Sequence, residues 1–211
     1  IGLPEPQQKL LGAVLDTGKP VVVVLLNGSA LAVNIAKQRA AAILEAWYGG
    51  QEGGTAIART LAGQNNPAGR LPVTFYQSVD QLPPFDDYAM KGRTYRYFTG
   101  EPLYAFGYGL SYSVFHYSNT KSNTLPNGQF EITARIKNDS RRAGDEVAQL
   151  YVAVGNAKPA LKGFVRTHVP AGQSKNVRFV LNSTGLQGAV VTVGGGQPDN
   201  SRSVSTTLPK N

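Results

Sequence analysis

PVVVVLLNG, residues 20–28, decides the fold class of the N-terminal part of the chain. Its six consecutive apolar residues, Val21 to Leu26, stand between a proline and an Asn-Gly turn signal. A strand that is wetted on one face alternates apolar and polar residues, whereas a parallel strand covered on both faces is apolar throughout. The stretch therefore predicts a strand of a mostly parallel sheet with a layer on each side.

The segments around this strand alternate between helix and strand. PEPQQKLLGAVLDTG, residues 4–18, predicts an amphipathic helix, because prolines suit a first helical turn and the glycine suits its end. Further along, we expect a helix over about 32–40, a strand over about 42–48, a helix ending at Gly63 and a short strand in GRLPVTFY. Three strands are few for a doubly wound sheet. Residues 1–78 are therefore expected to be the C-terminal part of an α/β domain whose first half precedes Ile1.

The hydrophobic period changes at about residue 112. FEITARIKN, residues 130–138, and KNVRFVL, residues 175–181, alternate apolar and polar residues as half-buried strands do. EVAQLYVAV, residues 146–154, is apolar on both faces, so one face is expected to pack on another domain. With turn signals at Asn127-Gly128 and Ala171-Gly172, about seven strands predict an antiparallel β-sandwich of fibronectin type III or immunoglobulin type over residues 112–211.

An aromatic-rich linker, residues 79–111, lies between these two parts. The stretch from Phe85 to Tyr117 holds eleven of the chain's nineteen Phe, Tyr and Trp residues. Connecting segments normally run over the surface and are polar. We therefore expect neighbouring domains to cover these aromatic rings. The alternative is a platform that stacks sugar rings, for which the aromatic rings would have to lie on one face. The interspersed glycines and proline turn the chain repeatedly and oppose such an arrangement. The rings concerned are Tyr95, Tyr97, Tyr104, Phe106, Tyr108 and Tyr112.

Composition excludes several classes of function. Cysteine is absent, so the chain has no disulfide, zinc-thiolate site or cysteine nucleophile. The net charge is +8, but Lys and Arg are scattered, which indicates a solvated basic surface and no nucleic-acid partner. No apolar run approaches the roughly 20 residues that span a bilayer, and no signal-peptide pattern opens the chain. Because the first residue is Ile1, we expect a piece of a longer polypeptide.

Two features resemble sites and are better explained by structure. GGQEGGT, residues 49–55, has neither the G-x-G-x-x-G spacing nor the lysine of a Walker loop, so its glycines predict a tight turn. Glu52 suits the start of the following helix, and we expect Arg70 to be its structural partner. Neither residue is expected to act in catalysis.

The remaining ionisable residues form no recognisable catalytic set. Asp86 and Asp87 could act as a carboxylate pair, but adjacent residues of an extended chain point to opposite sides. These aspartates and Glu101 are therefore expected to be solvated or to cap turns. His116 and His168 have no second ligand at metal spacing, and no G-x-S-x-G occurs. We predict no catalytic residue, no metal and no cofactor in this chain.

Nine motifs cover nearly the whole chain and are informative when they are taken together. They are GKPVVVVLLNGSALAV, AILEAWYGGQEGGTAIARTLAG, NPAGRLPVTFY, LPPFDDY, GRTYRYF, PLYAFGYGLSYSVFHYSN, AGDEVAQLYV, LKGFVRTHVPAGQSKNVRF and VTVGGG. In sequence and in order, these motifs resemble those of glycoside hydrolase family 3, the β-glucosidases and β-xylosidases. The last motif follows a stretch that is shorter than is usual in the family.

The resemblance implies a fold and a mechanism. It implies a barrel, an α/β sandwich and a fibronectin type III-like domain, of which this chain has the end of the second and the third. It also implies a retaining, exo-acting β-glycosidase, with glucosides preferred over xylosides, in which an aspartate nucleophile and a glutamate acid/base both precede Ile1.

The resemblance further implies a setting for the chain. The chain alone is expected to be inactive, to pack on the barrel and the rest of the α/β sandwich, and to be periplasmic or extracellular, with an oligosaccharide or glycoside as substrate. No membrane or nucleic-acid partner is expected. The rival from another class is a non-catalytic scaffold or carbohydrate-binding module.

Overall fold

A computed structural model describes residues 1–198 and 203–209, and the chain forms two compact units. The α/β unit comprises Ile1–Asn65 and Val73–Ala105, and the sandwich unit comprises Asn66–Pro72 and Phe106–Asn211. This division differs from the expected domains, because most of the aromatic linker lies in the α/β unit and residues 66–72 lie in the sandwich unit. The chain therefore passes between the units three times.

The α/β unit alternates helix and strand as expected. Its two strands pair in parallel, with Val22 opposite Ala42. No helix among residues 1–198 and 203–209 is long and apolar enough to cross a membrane. The elements are α1 (Glu5–Leu15), β1 (Val22–Leu25), α2 (Asn34–Arg39), β2 (Ala42–Glu45), α3 (Gly53–Leu61), a 3₁₀ turn (Val79–Gln81) and α4 (Thr94–Tyr97).

One expectation for this unit was wrong. GRLPVTFY forms no strand and has one isolated bridge, between Phe75 and Tyr104. Pro72 has no N–H to donate, and the Leu71 N–H bonds to Tyr108 in the sandwich unit, which interrupts a regular ladder. Leu25 is the only buried residue of strand β1. Cover on both faces of this strand, which the sequence analysis expected the first half of the domain to complete, stays a prediction.

The core of the α/β unit is partly built from the linker. Phe98 and Leu103 are buried with Phe75 and Tyr76, and the rings of Tyr76 and Phe98 meet edge to face at 5.0 Å. The six rings singled out in the sequence are less covered, because three are half-buried and Tyr97, Tyr108 and Tyr112 are 40–48% exposed. Their packing against further domains therefore stays a prediction.

The described part of the sandwich unit, which leaves out residues 199–202 and 210–211, has seven strands, in agreement with the alternating pattern. They form two antiparallel sheets in the orders β3–β4–β7 and β6–β5–β8–β9. Side chains such as Phe130, Ile136 and Leu150 fill the space between the sheets. The strands are β3 (Phe115–Thr124), β4 (Phe130–Asn138), β5 (Gly144–Ala153), β6 (Ala160–Val169), β7 (Ser174–Leu181), β8 (Val190–Gly194) and β9 (Ser203–Thr207).

Strand β5 is buried on both faces, as its sequence predicts, but the cover is local. Gln149 and Tyr151 on its outer face are 3% and 1% exposed. The Tyr151 hydroxyl donates to Gln149 Oε1, and Gln149 Nε2 donates to the carbonyls of Gly107 and Gly195. The end of the aromatic linker and the end of β8 therefore cover this face within the sandwich unit itself.

Candidate functional site

One of the acidic residues singled out in the linker, Asp87, caps a turn. Asp86, Asp87 and Glu101 are all exposed. The Asp87 carboxylate accepts a hydrogen bond from the Ala89 N–H at 2.8 Å, and the Glu101 backbone carbonyl accepts from the side chain of Gln77. The capping role of Asp87 is confirmed. Its use in a catalytic pair is not supported by any hydrogen bond of these carboxylates.

Both histidines contact carboxylates on the surface of the sandwich unit. His116 lies 3.3 Å from Asp139, and His168 lies 2.8 Å from Asp145, which also binds Arg166. The hydrogen bond with His168, and after it the Arg166 guanidinium, hold the pKa of Asp145 below its usual value against the effect of burial. The described residues, 1–198 and 203–209, include no group of three or more potential acidic or histidine metal ligands.

Arg70 is the centre of a buried ionic network in the sandwich unit. Its Nη2 donates to Glu146 Oε2 at 2.6 Å and its Nε to the Gly195 carbonyl at 3.2 Å, while Nη1 donates to two nearby backbone carbonyls. The side chains of Arg70 and Glu146 are 9% and 3% exposed. Every guanidinium nitrogen thus has an acceptor, which is the condition under which a buried ion pair is tolerated.

Tyr117 completes this network. Its hydroxyl donates to Glu146 Oε1 at 2.8 Å, so both oxygens of the carboxylate have a donor. Burial, and after it the negative charge of Glu146, raises the pKa of Tyr117 well above its usual value. The hydroxyl therefore stays a donor. A small cavity borders the network and is lined by Ser111 and Ser113 as well as by the ionic side chains.

The segment 66–72 is also fixed at its other end. Asn66 Nδ2 donates to Ser113 Oγ and to the Ala143 carbonyl, and its Oδ1 accepts from Ser111 Oγ and the Tyr112 N–H. The Nδ2 and the Oδ1 of Asn66 thus each take part in two hydrogen bonds. Asn66 and Arg70 together fasten this short segment to the β-sandwich.

The predicted partner of Arg70 needs a correction. The carboxylate that Arg70 contacts is Glu146, whereas the sequence analysis expected Glu52. Glu52 stands at the N-cap of α3, where its side chain makes no capping hydrogen bond. Glu146 was missed because it opens an apolar strand 76 residues away and no local pattern connects it to Arg70. The structural role expected for Arg70 agrees with its burial.

The glycine loop before α3 is a tight turn, as predicted. Gly53 N–H bonds to the Gly50 carbonyl, and a Cβ at Gly49 would lie 2.9 Å from the Gly53 Cα. A side chain at Gly49 would therefore collide with backbone. Close approach of the chain to itself accounts for this glycine without a phosphate ligand.

A polar edge that the sequence analysis missed lies where β1 and β2 end. Asn27 Oδ1 and Glu45 Oε2 are buried and have no hydrogen-bond partner among the described residues. Burial raises the pKa of Glu45, and hydrogen bonds from the Trp47 N–H and the Asn27 amide partly offset this. Trp47 has a φ of 53°, which is unfavourable for a bulky residue. Ligands of open α/β sheets bind beyond the carboxyl ends of the strands, so this edge is the α/β unit's candidate binding site.

Comparison with known proteins decides the family. Residues 1–112, more than half of the chain, match the glycosyl hydrolase family 3 C-terminal domain. The chain belongs to glycosyl hydrolase family 3. Residues 146–192 match the fibronectin type III-like domain, in agreement with the strands found there. The resemblance stated from the motifs is therefore confirmed.

Family 3 relatives resemble this chain along nearly its whole length. A xylan 1,4-β-xylosidase of Xylanibacter ruminicola is 40% identical over 89% of this chain and 22% of its own length. A periplasmic β-glucosidase of Salmonella typhimurium is 39% identical over 89% of this chain and 27% of its own length. The structure of β-glucosidase 3B from Thermotoga neapolitana has a TM-score of 0.86 at 28% identity, covering 99% of this chain and 34% of that one. The chain thus spans between a fifth and about a third of these family 3 proteins.

Proposed function

We propose that this chain is the C-terminal portion of a retaining, exo-acting β-glucosidase that hydrolyses terminal, non-reducing, β-linked sugars of oligosaccharides. The observation that carries the proposal is the family 3 match over residues 1–112. The glucoside preference is supported by similar solved structures, which include β-glucosidases from Thermotoga neapolitana with glucose and from Listeria innocua with laminaribiose. The activity is proposed for the whole polypeptide.

No residue of this chain is assigned to catalysis in this proposal. Retaining glycosidases use two carboxyl groups about 5–5.5 Å apart, one as nucleophile and one as acid and then base. Asp87 caps a turn, and Glu146 is committed to Arg70. We place the aspartate nucleophile and the glutamate acid/base in the polypeptide ahead of Ile1, and the reaction needs no cofactor.

The test compares two proteins and two substrates. The polypeptide that carries this chain at its C-terminus should hydrolyse aryl β-glucosides with a higher kcat/KM than aryl β-xylosides, and residues 1–211 alone should hydrolyse neither. The assignment of the catalytic residues would be contradicted if the isolated chain were active and if Asp86→Asn or Asp87→Asn abolished that activity. Absence of turnover in the whole polypeptide would favour the non-catalytic module.

A β-xylosidase is the second candidate within the same family. It is favoured by the 40% identity to the xylan 1,4-β-xylosidase, which is close to the 39% identity to the periplasmic β-glucosidase. The ratio of kcat/KM values for the two aryl glycosides decides between them. If kcat/KM is higher for the aryl xyloside, the β-xylosidase proposal replaces the β-glucosidase proposal.

We also propose that the α/β unit packs on the barrel and on the rest of the α/β sandwich. Its surface supports this, because five large apolar side chains of the unit are 63–97% exposed, namely Leu10, Leu26, Tyr48, Phe85 and Tyr88. Phe85→Ser should therefore lower the melting temperature of the whole polypeptide and leave that of residues 1–211 unchanged. An equal effect on both proteins would contradict the packing.

The proposed location is the periplasm or the outside of the cell. It is supported by the relative from Salmonella typhimurium, which is named a periplasmic β-glucosidase. Fractionation of the source cells should recover the activity outside the cytoplasm, and recovery with cytoplasmic markers would overturn this location.

A further inference from the structure

The positive charge of the chain is segregated by the fold. The α/β unit has eight Lys and Arg residues against eight Asp and Glu, whereas the sandwich unit has thirteen against five. The whole net charge of +8 therefore belongs to the sandwich unit. Residues that look scattered along the sequence are concentrated in space, which indicates an anionic partner for this unit.

Four of the thirteen Lys and Arg residues of the sandwich unit lie on the outward face of the β3–β4–β7 sheet. Phe130, Ile132 and Ile136 of β4 are completely buried, so the residues between them face outward. Strand pairing sets the outward side chains in four rows across the three strands, and three of these rows have at least one Lys or Arg, whereas the fourth is Asn123, Glu131 and Val180. The three rows with a cation are His116, Lys137 and Ser174; Ser118, Arg135 and Asn176; and Lys121, Thr133 and Arg178.

The cations of this face are poorly neutralised. Glu131 is the one acidic residue that faces outward on these three described strands, and it forms an ion pair with Arg178. Asp139, directly after β4, lies 3.3 Å from His116 at the end of the face. Arg135 donates to Ser174 Oγ at 3.0 Å and Lys137 to the Gly172 carbonyl at 2.6 Å, both neutral acceptors. The face thus keeps a positive potential, with hydroxyl and amide side chains between the charges.

The other side chains of this face narrow the class of partner. Val180 is its one large exposed apolar residue among the described strands, so it lacks the aromatic and aliphatic anchors of a protein interface. Single-stranded nucleic acids need aromatic rings for stacking, and the major groove of a duplex admits a helix or a narrow ribbon. An acidic polysaccharide offers carboxylates to Lys and Arg and hydroxyls to Ser, Thr and Asn.

We propose that the outward face of the β3–β4–β7 sheet binds an acidic polysaccharide, a glycan whose uronic acid carboxylates pair with Lys121, Arg135 and Lys137. Charge complementarity supplies the attraction, and the neutral polar side chains supply hydrogen bonds to sugar hydroxyls. This function goes beyond hydrolysis, and it holds whichever glycoside the whole enzyme cleaves. Because the contacts are exposed charges, added salt weakens the binding.

The experiment measures binding of residues 1–211 to polygalacturonate at about 20 mM and about 200 mM salt. The unchanged chain should bind at low salt, weaken at high salt and ignore a neutral glucan. The variant K121Q/R135Q/K137Q should bind about tenfold more weakly, since three exposed charge contacts, each of modest strength, are removed together. The matched control K19Q/R59Q/K91Q removes the same charge from exposed positions of the α/β unit and should change the affinity less than about twofold.

Three results would overturn the proposal. The first is no binding of polygalacturonate at low salt. The second is an equal loss in the sheet variant and the control, which would show that net charge alone is responsible. The third is tighter binding to single-stranded DNA or to anionic lipid vesicles than to polygalacturonate, which would assign the face to a nucleic acid or a membrane. Thermal unfolding of both variants checks that they are folded.

Discussion

Replacing Glu146 by alanine should destabilise the sandwich unit by about 3–5 kcal/mol, because it leaves the buried Arg70 guanidinium without its counter-ion. The charged atoms of the pair are 2.6 Å apart and both side chains are at least nine-tenths covered, so the guanidinium left behind is largely removed from bulk solvent. Tyr117 loses its acceptor in the same step. The free energy of unfolding from urea titration measures the effect.

Related variants separate the parts of this effect. Tyr117→Phe keeps the ion pair and removes one hydrogen bond to a charged group, so we expect a loss of about 1.5–3 kcal/mol. Replacing both partners, as in Arg70→Met with Glu146→Leu, should recover much of the stability because no buried charge is left alone. The surface acid Glu131 is the control, and Glu131→Gln should cost at most about 1 kcal/mol. An effect of Glu146→Ala as small as this control would show that the network is not needed.

Gly109→Ala should destabilise the sandwich unit by about 3 kcal/mol or more, because a single methyl group has no room there. A Cβ at this position would lie 2.2 Å from the Gly69 carbonyl oxygen and 3.1 Å from Arg70 Cδ. The first contact is with a backbone atom, so the segment around Gly69 has to move. The neighbouring Arg70 and its hydrogen bonds are then displaced as well. Overpacking of a tight site costs about 1–3 kcal/mol even where side chains can adjust.

Gly69→Ala is the matched control for this prediction. It lies on the other side of the same contact, but a Cβ at Gly69 meets nothing within 4 Å. Its effect on the urea midpoint should be a small fraction of that of Gly109→Ala. Equal midpoints for the two variants would mean that the close approach of the two segments is not maintained in solution.

Local patterns in the sequence predict most of the secondary structure. FEITARIKN alternates apolar and polar residues and is strand β4, and the helices α1 and α3 end at or near the glycines that the sequence indicates. These elements depend on residues a few positions apart, so periodicity suffices. GRLPVTFY was read as a strand because its composition suits one. Its N–H groups bond instead to a distant part of the linker, which local pattern does not show.

The buried ionic network could not be predicted for the same reason. Arg70 was recognised as structural, but its acceptors on Glu146 and Gly195 lie 76 and 125 residues further along the chain. The basic sheet face was missed because its Lys and Arg residues come from three strands and form no run in the sequence. The polar edge at Asn27 and Glu45 was missed because it is defined by buried oxygen atoms that have no hydrogen-bond donor. Only the coordinates show which atoms these are.

The segment 66–72 imposes an order of events on synthesis of the chain. At about 5–20 residues per second, Arg70 leaves the ribosome some 4–15 seconds before Glu146 follows it. During that interval the guanidinium stays hydrated, and the segment cannot take its final place until the strand that bears its counter-ion exists. The Gly195 carbonyl comes later still, 125 residues after Arg70. A nascent chain halted anywhere between Arg70 and Gly195 therefore lacks at least one of the two distant acceptors of Arg70. A chaperone or a protease encounters the chain with segment 66–72 not yet attached to the β-sandwich.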